Sequence, residues 1–253
     1  MTVRRLLEVC VDSPTGLMAA IAAGADRIEL CSALAQSGLM PSAGMMALAA
    51  RQAVPSYPMI RPHPGEFRYG ELDLDVMRGD IDATRAAGLP GVVIGANRPS
   101  GELDEDMIGR LVEHARALGL GMTLHRAFDL VPDFEKALEI AVGFGFERIL
   151  TSGGARTAIL GADRIADLVV QADGRIVIMA GCGVNPGNVA DLVRRTGVSE
   201  VHGSFGGPVF APGGDQTPSA GAVELGFVQA DLKDTQGGAV KAVVETLRGL
   251  EQA

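Results

Sequence analysis

The sequence predicts an α/β fold in one domain, residues 1–253, closed as a (β/α)8 TIM barrel with a long Gly/Pro-rich loop after strand eight. Three observations carry this. Short apolar or β-branched runs alternate with longer segments of helical period along the whole chain, which is the pattern of a parallel sheet. Eight such runs can be counted. They recur at intervals of roughly 20 to 35 residues, enough for one βα unit and too little for an inserted domain.

The expected strands are Leu6–Val11, Arg27–Cys31, Tyr57–Arg61, Gly91–Ile94, Met122–His125, Arg148–Thr151, Ile176–Ala180 and Glu200–Gly203. Helix starts carry a cap residue or a proline: Ser13 and Pro14 before Thr15–Ala23, Pro41 and Ser42 before Ala43–Gln52, Pro132 and Asp133 before Phe134–Val142. Gly24, Gly88, Gly119, Gly145 and Gly197 stand where a helix ends and the next strand begins, the place of a left-handed C′ residue. Phe205–Gln236 is rich in Gly, Pro and Asp without periodicity and reads as a long loop, a lid or a partner surface. The residues from Gly237 onward, Lys241–Leu250 above all, form the closing helix.

At 47% hydrophobic and 21% charged residues, the composition is that of a compact soluble chain. Lys plus Arg number 22 against 31 Asp plus Glu, a net charge of −9 with no basic block, which disfavours nucleic acid and anionic membranes as partners. Cys10, Cys31 and Cys182 are odd in number and far apart, unlike a secreted disulfide framework, so a cytoplasmic, reducing location is expected. No export signal and no run of about 18 uncharged apolar residues is visible. No G-x-G-x-x-G follows the first strand, and Gly181-Cys182-Gly183 is only a fragment of it, so no nucleotide cofactor is expected.

Side chains of a barrel strand alternate between lumen and helix layer, so parity assigns faces. With Leu7, Val9 and Val11 facing the helices, Glu8 and Cys10 point inward; with Ile28 and Leu30 outward, Glu29 and Cys31 point inward. The same rule puts Arg61, Thr123, His125 and His202 in the lumen. Unpaired buried charge is costly, so Glu8 and Glu29 are read as carboxylates answered by the Arg61 guanidinium.

The ordered motifs Leu7-Glu8-Val9-Cys10-Val11-Asp12, Gly24-Ala25-Asp26-Arg27-Ile28-Glu29-Leu30-Cys31, Met59-Ile60-Arg61-Pro62, His125-Arg126-Ala127-Phe128-Asp129, Leu150-Thr151-Ser152-Gly153-Gly154 and Met179-Ala180-Gly181 with Gly183-Val184-Asn185 resemble the CutC family. The resemblance spans about Leu6 to Ser204. It implies a TIM barrel, a cytoplasmic and often homo-oligomeric protein, and a role in copper homeostasis. The chain departs from the family after His202-Gly203-Ser204, where Phe205-Gly206-Gly207-Pro208 replaces a short polar stretch, and His63-Pro64-Gly65 is a local variant.

Cys10 and Cys31 are expected at equivalent positions on adjacent strands, roughly 5 Å apart, where two thiolates could hold Cu(I). Cys182 is a candidate third sulfur. Asp129 follows His125 by four residues in the same loop and could orient it as a general acid or base. The loops Ser152-Gly153-Gly154 and Gly181 to Asn185 expose backbone N–H groups ahead of helices, which with Arg61, Arg126, His202 and Ser204 suit a small anionic ligand. His114 lies on an outer helix and is structural. Two readings follow: a copper-homeostasis protein using Cys10 and Cys31, or an enzyme using Glu8, Glu29, Arg61, His125 and Asp129 for proton transfer on a small phosphorylated or carboxylated metabolite.

Overall fold

The computed structural model describes residues 4–209, 218–228 and 232–251. Eight parallel strands form the sheet: β1 (Leu6–Val11), β2 (Arg27–Leu30), β3 (Ser56–Pro58), β4 (Gly91–Ile94), β5 (Gly121–Leu124), β6 (Arg148–Thr151), β7 (Val177–Ala180) and β8 (Glu200–Gly203). They run in the order β3-β2-β1-β8-β7-β6-β5-β4. A parallel bridge from Met59 to Val93, with Ile60 N–H donating to Val93 O at 2.9 Å, joins β3 to β4 and closes the barrel.

The outer layer comprises α1 (Pro14–Ala22), α2 (Ala43–Ala49), α3 (Glu71–Ala86), α4 (Glu105–Ala117), α5 (Phe134–Gly143), α6 (Ala162–Ala172), α7 (Val189–Thr196) and α9 (Gly237–Glu251), while the short α8 (Ala220–Glu224) buries none of its residues. The expected caps form: Ser13, Ser42 and Asp133 accept from the backbone N–H groups of Gly16, Met45 and Lys136. All five junction glycines take positive φ, between +70° at Gly119 and +94° at Gly24. Outward residues Leu7, Val9, Val11, Ile28, Leu30, Ile94 and Leu124 are sealed against Leu17, Ile81, Leu111, Ile165, Leu192 and Val243 of the helices. Burial of these side chains stabilises each by about 1.5–3 kcal/mol. His114 sits outside the barrel, with its Nε2 2.8 Å from Asp82 Oδ1.

The segment after β8 is not a featureless loop. β9 (Gly206–Pro208) and β10 (Lys233–Thr235) form an antiparallel ribbon. It is pinned to the start of α1, because Ser13 Oγ, which caps that helix, also donates to Asp234 at 2.8 Å. A Cβ on Gly16 would lie 2.5 Å from Asp234 Oδ1, so the glycine admits the ribbon. Short paired stretches of Gly, Pro and charged residues carry no period, which is why the sequence did not disclose them. Residues 210–217 and 229–231 of this segment lie outside the described residues. Among the described residues, no helix is long and apolar enough to cross a membrane.

Candidate functional site

The lumen is built in layers. Near the strand N-termini, Arg27 donates to Glu8 through Nε and to Glu200 through its terminal nitrogen. Arg148 reaches Glu147 at 2.9 Å and Glu200 at 3.4 Å, and Tyr57 donates to Glu147 at 3.0 Å. Gly91 and Gly121 make room for the Tyr57 ring, since a Cβ on Gly91 would stand 2.1 Å from it. This layer closes the lower end of the barrel with paired charge.

Glu8 therefore finds its counter-charge in Arg27, not Arg61. The register explains the correction: Glu8 lies opposite Arg27 between β1 and β2 and opposite His202 between β1 and β8. Arg61 stands beyond the end of β3 and donates to the carbonyls of Gln36, Gly38 and Gly65. Arg27 shares the inward parity of Glu29, as Arg148 shares that of Leu150 and Glu200 that of His202. Carrying the alternation one step back along each strand would have disclosed all three.

One layer higher, Cys10 lies opposite Glu29, and Cys31 has passed the end of β2, its N–H donating to Val11 O at 2.9 Å. Parity holds, but the register offsets the two cysteines by two residues, so their Cα atoms stand about 8 Å apart on strand spacings alone. The expected cysteine pair does not form. Instead Cys10 Sγ, a Glu29 carboxylate oxygen and a His202 ring nitrogen lie within 4.8 Å of one another, all buried. His202 Nδ1 donates to Glu8 at 2.9 Å, and its Nε2 faces Glu29 at 3.6 Å. Cys31 Sγ contacts the same Glu29 carboxylate at 3.8 Å. Cys182 is remote from this group, half-buried in the loop after β7 with its sulfur on Arg156 O.

Burial and charge set the protonation of this layer. Burial works to raise Glu8, but Arg27 and His202 outweigh it and hold the carboxyl at about 2. Burial, only partly offset by His202, pushes Glu29 up to about 7. Burial likewise pushes the Cys10 and Cys31 thiols up. Burial alone would lower His202, yet the Cys10, Glu29 and Glu8 groups around it keep it well above the ordinary histidine value.

At the upper end His125 is fully buried, its Nδ1 accepting from Ala127 N–H at 3.1 Å. Asp129 does not orient it. The Asp129 carboxylate accepts from Arg126 Nε at 2.7 Å, Thr151 Oγ1, Ser152 Oγ and the N–H groups of Ser152 and Gly154. The chain's own carboxylate thus fills the anion cradle expected of the Ser152-Gly153-Gly154 turn, because a hydrogen-bonded turn and helix start draw the nearest acceptor. After β7, Gly181 N–H donates to Thr151 O, and Asn185 and Asn188 bond each other's turn. Ser204 follows β8 in an exposed position. Three shallow surface hollows lie elsewhere: between α4 and α5 beside Arg98 and Lys136, between α5 and α6 beside Phe134 and Arg164, and against Arg4 and Arg248. None of these three opens on the lumen.

Fold and site together define a TIM-barrel protein whose lumen is filled by charge around one buried thiol, imidazole and carboxylate. The chain belongs to the CutC family, whose profile matches residues 5–207. A CutC family protein of Caulobacter vibrioides is 61% identical over 247 residues, covering 98% of both chains. One from Sinorhizobium medicae is 51% identical over the same share. Among solved structures, the CutC protein of Streptococcus agalactiae is 33% identical with a TM-score of 0.75, covering 79% of this chain and 98% of its own. A KDPGal structure, at 15% identity and a TM-score of 0.58, shares the fold alone.

Proposed function

We propose that the protein binds Cu(I) at Cys10, His202 and Glu29, as a copper-homeostasis protein of the reducing cytosol. The observation that carries this reading is the convergence of the three donors within 4.8 Å. Glu29 Oε1 is buried there without a hydrogen-bond partner. An orphaned buried acceptor is costly, and a cation beside it would supply the missing partner.

The remaining contacts suit the same role. Glu8 accepts from His202 Nδ1, so Nε2 is the nitrogen left for an ion, and Arg27 fixes the carboxylate that orients the ring. Thiolate and imidazole together favour Cu(I) over hard cations. Cys10 must surrender its thiol proton and the protonated His202 ring its Nε2 proton on binding, so uptake releases protons. Cys10 and His202 keep only 7% and 6% exposure, which suits retention of the ion more than rapid exchange. The solved relative from Streptococcus agalactiae is described in terms of copper homeostasis, which supports the choice of ion. All three cysteines are free, in keeping with a reducing compartment.

The test is an anaerobic Cu(I) competition titration against a chromogenic chelator. Wild type and Cys31→Ser should each take up about one equivalent, as expected for a single soft-ligand site, while Cys10→Ser should not. Equal loss in the two serine variants, or no uptake by wild type, overturns the proposal.

A further inference from the structure

We infer that the mouth of the barrel above this centre binds a small oxyanion, the carboxylate or phosphate of a metabolite, between Arg61, His125 and Tyr69 once the Phe67 ring moves aside. The inference uses none of the copper ligands and stands without that reading.

Arg61 is 3% exposed, yet among the described residues no carboxylate comes within ion-pair distance of it. Its terminal nitrogens donate to three neutral carbonyls, those of Gln36 at 2.8 Å, Gly38 at 3.0 Å and Gly65 at 2.7 Å. Its Nε is buried with no partner. A buried guanidinium held only by carbonyls is half of an ion pair. Arg27, in the layer below, has both its carboxylates in place.

Two further donors share this condition. His125 is 1% exposed, and because its Nδ1 accepts from Ala127 N–H, the ring proton resides on Nε2, which is buried without an acceptor. Burial, reinforced by the Arg61 charge, lowers its pKa to about 3, so the ring is a neutral donor. Tyr69 Oη is also buried, with Arg61 close beside it and no acceptor for its proton. Orphaned buried donors are few in native proteins, and each calls for a partner. Here one positive charge lies beside two neutral donors, those of His125 and Tyr69, with no matching acceptor, the complement of an oxyanion.

Phe67 covers Arg61 and His125. Its ring centroid lies 4.9 Å from Arg61 Cζ and 4.5 Å from the His125 ring centroid. The side chain is half-buried, on the stretch between β3 and α3 where Pro64, Gly65 and Glu66 are exposed. Its backbone is held by Asn97 N–H donating to Phe67 O at 2.7 Å. The site lies at the C-terminal face of the strands, where barrels take their ligands.

The test is a titration of the full chain with inorganic phosphate and, separately, malonate, against chloride at matched ionic strength. The His125 ring nitrogens are followed by NMR in 15N-histidine-labelled protein. Wild type should show a saturable shift with one of the two oxyanions and none with chloride, and the oxyanion that acts identifies the ligand's head group. Phe67→Ala should bind about tenfold more tightly and Arg61→Gln about tenfold or more weakly, the scale of one charge-assisted hydrogen bond. No saturable shift in Phe67→Ala with either oxyanion, or an Arg61→Gln protein that binds as tightly as wild type, overturns the inference. Should Arg61→Gln not fold, the Phe67→Ala titration decides.

Discussion

Glu8 stands opposite Arg27 across the β1–β2 pairing, and its two oxygens serve two strands at once: one accepts from Arg27 Nε, the other from His202 Nδ1 at 2.9 Å. The lumen is thereby cross-linked at its centre. Replacing Arg27 with Met takes the guanidinium from two buried carboxylates, leaving Glu8 only His202 and Glu200 only Arg148, and should destabilise the fold by about 3 kcal/mol. Arg27→Lys, which keeps the charge, should lose less. Urea unfolding of the three proteins measures the difference, and an Arg27→Met protein as stable as wild type would show that the ion layer contributes nothing.

The burial of His125 sets the sign of a pH dependence in the fold. Its folded pKa of about 3 lies below the ordinary value of 6.5, so between the two the unfolded chain binds the proton and the native state does not. Its contribution is complete above pH 6.5 and is lost as pH falls toward 3. The slope is up to about 1.4 kcal/mol per pH unit. Urea unfolding of wild type and His125→Asn from pH 7.5 downward should give curves that converge on acidification, since the other lumen groups are common to both. Parallel curves would sink this assignment.

Asp129 acts as a tie between β5 and the turn after β6. Asp129→Asn puts a donor against the N–H groups of Ser152 and Gly154 and should cost about 3 kcal/mol, most of it from those buried partners. The Arg126 contact adds little, because that side chain is 39% exposed and its charge is screened. Thermal unfolding reads the effect, and an unchanged midpoint would contradict it.

Two glycines make a contrasting pair. Gly79 lies within α3 with nothing inside 4 Å of its would-be Cβ, so Gly79→Ala should stabilise by about 0.5–1 kcal/mol. Gly91→Ala drives a methyl into the Tyr57 ring and should cost about 1–3 kcal/mol or more. The same chemical change thus carries opposite signs in denaturant unfolding. A matching sign in both would refute the packing described for the lower lumen.

Much of this molecule was legible in its residues. The βα rhythm, the capped helix starts and the positive-φ glycines are local signals, and β1, β4, β6 and β8 have the expected ends. Parity likewise placed Glu8, Cys10, Glu29 and His202 in the lumen one by one. What parity cannot supply is register: it says which side chains face inward, not which stand level. That missing step paired Cys10 with Cys31 in place of Glu29, and Glu8 with Arg61 in place of Arg27. Phe67 and Tyr69 escaped notice because they lie in an irregular connection, where no period marks a side chain as turned toward the barrel.

X-ray absorption of the Cu(I)-loaded protein reads directly what surrounds the ion. A site of Cys10, His202 and Glu29 predicts one sulfur scatterer with nitrogen or oxygen neighbours in the first coordination shell. A two-sulfur, linear Cu(I) spectrum would contradict it and return the pair Cys10 and Cys31 to consideration.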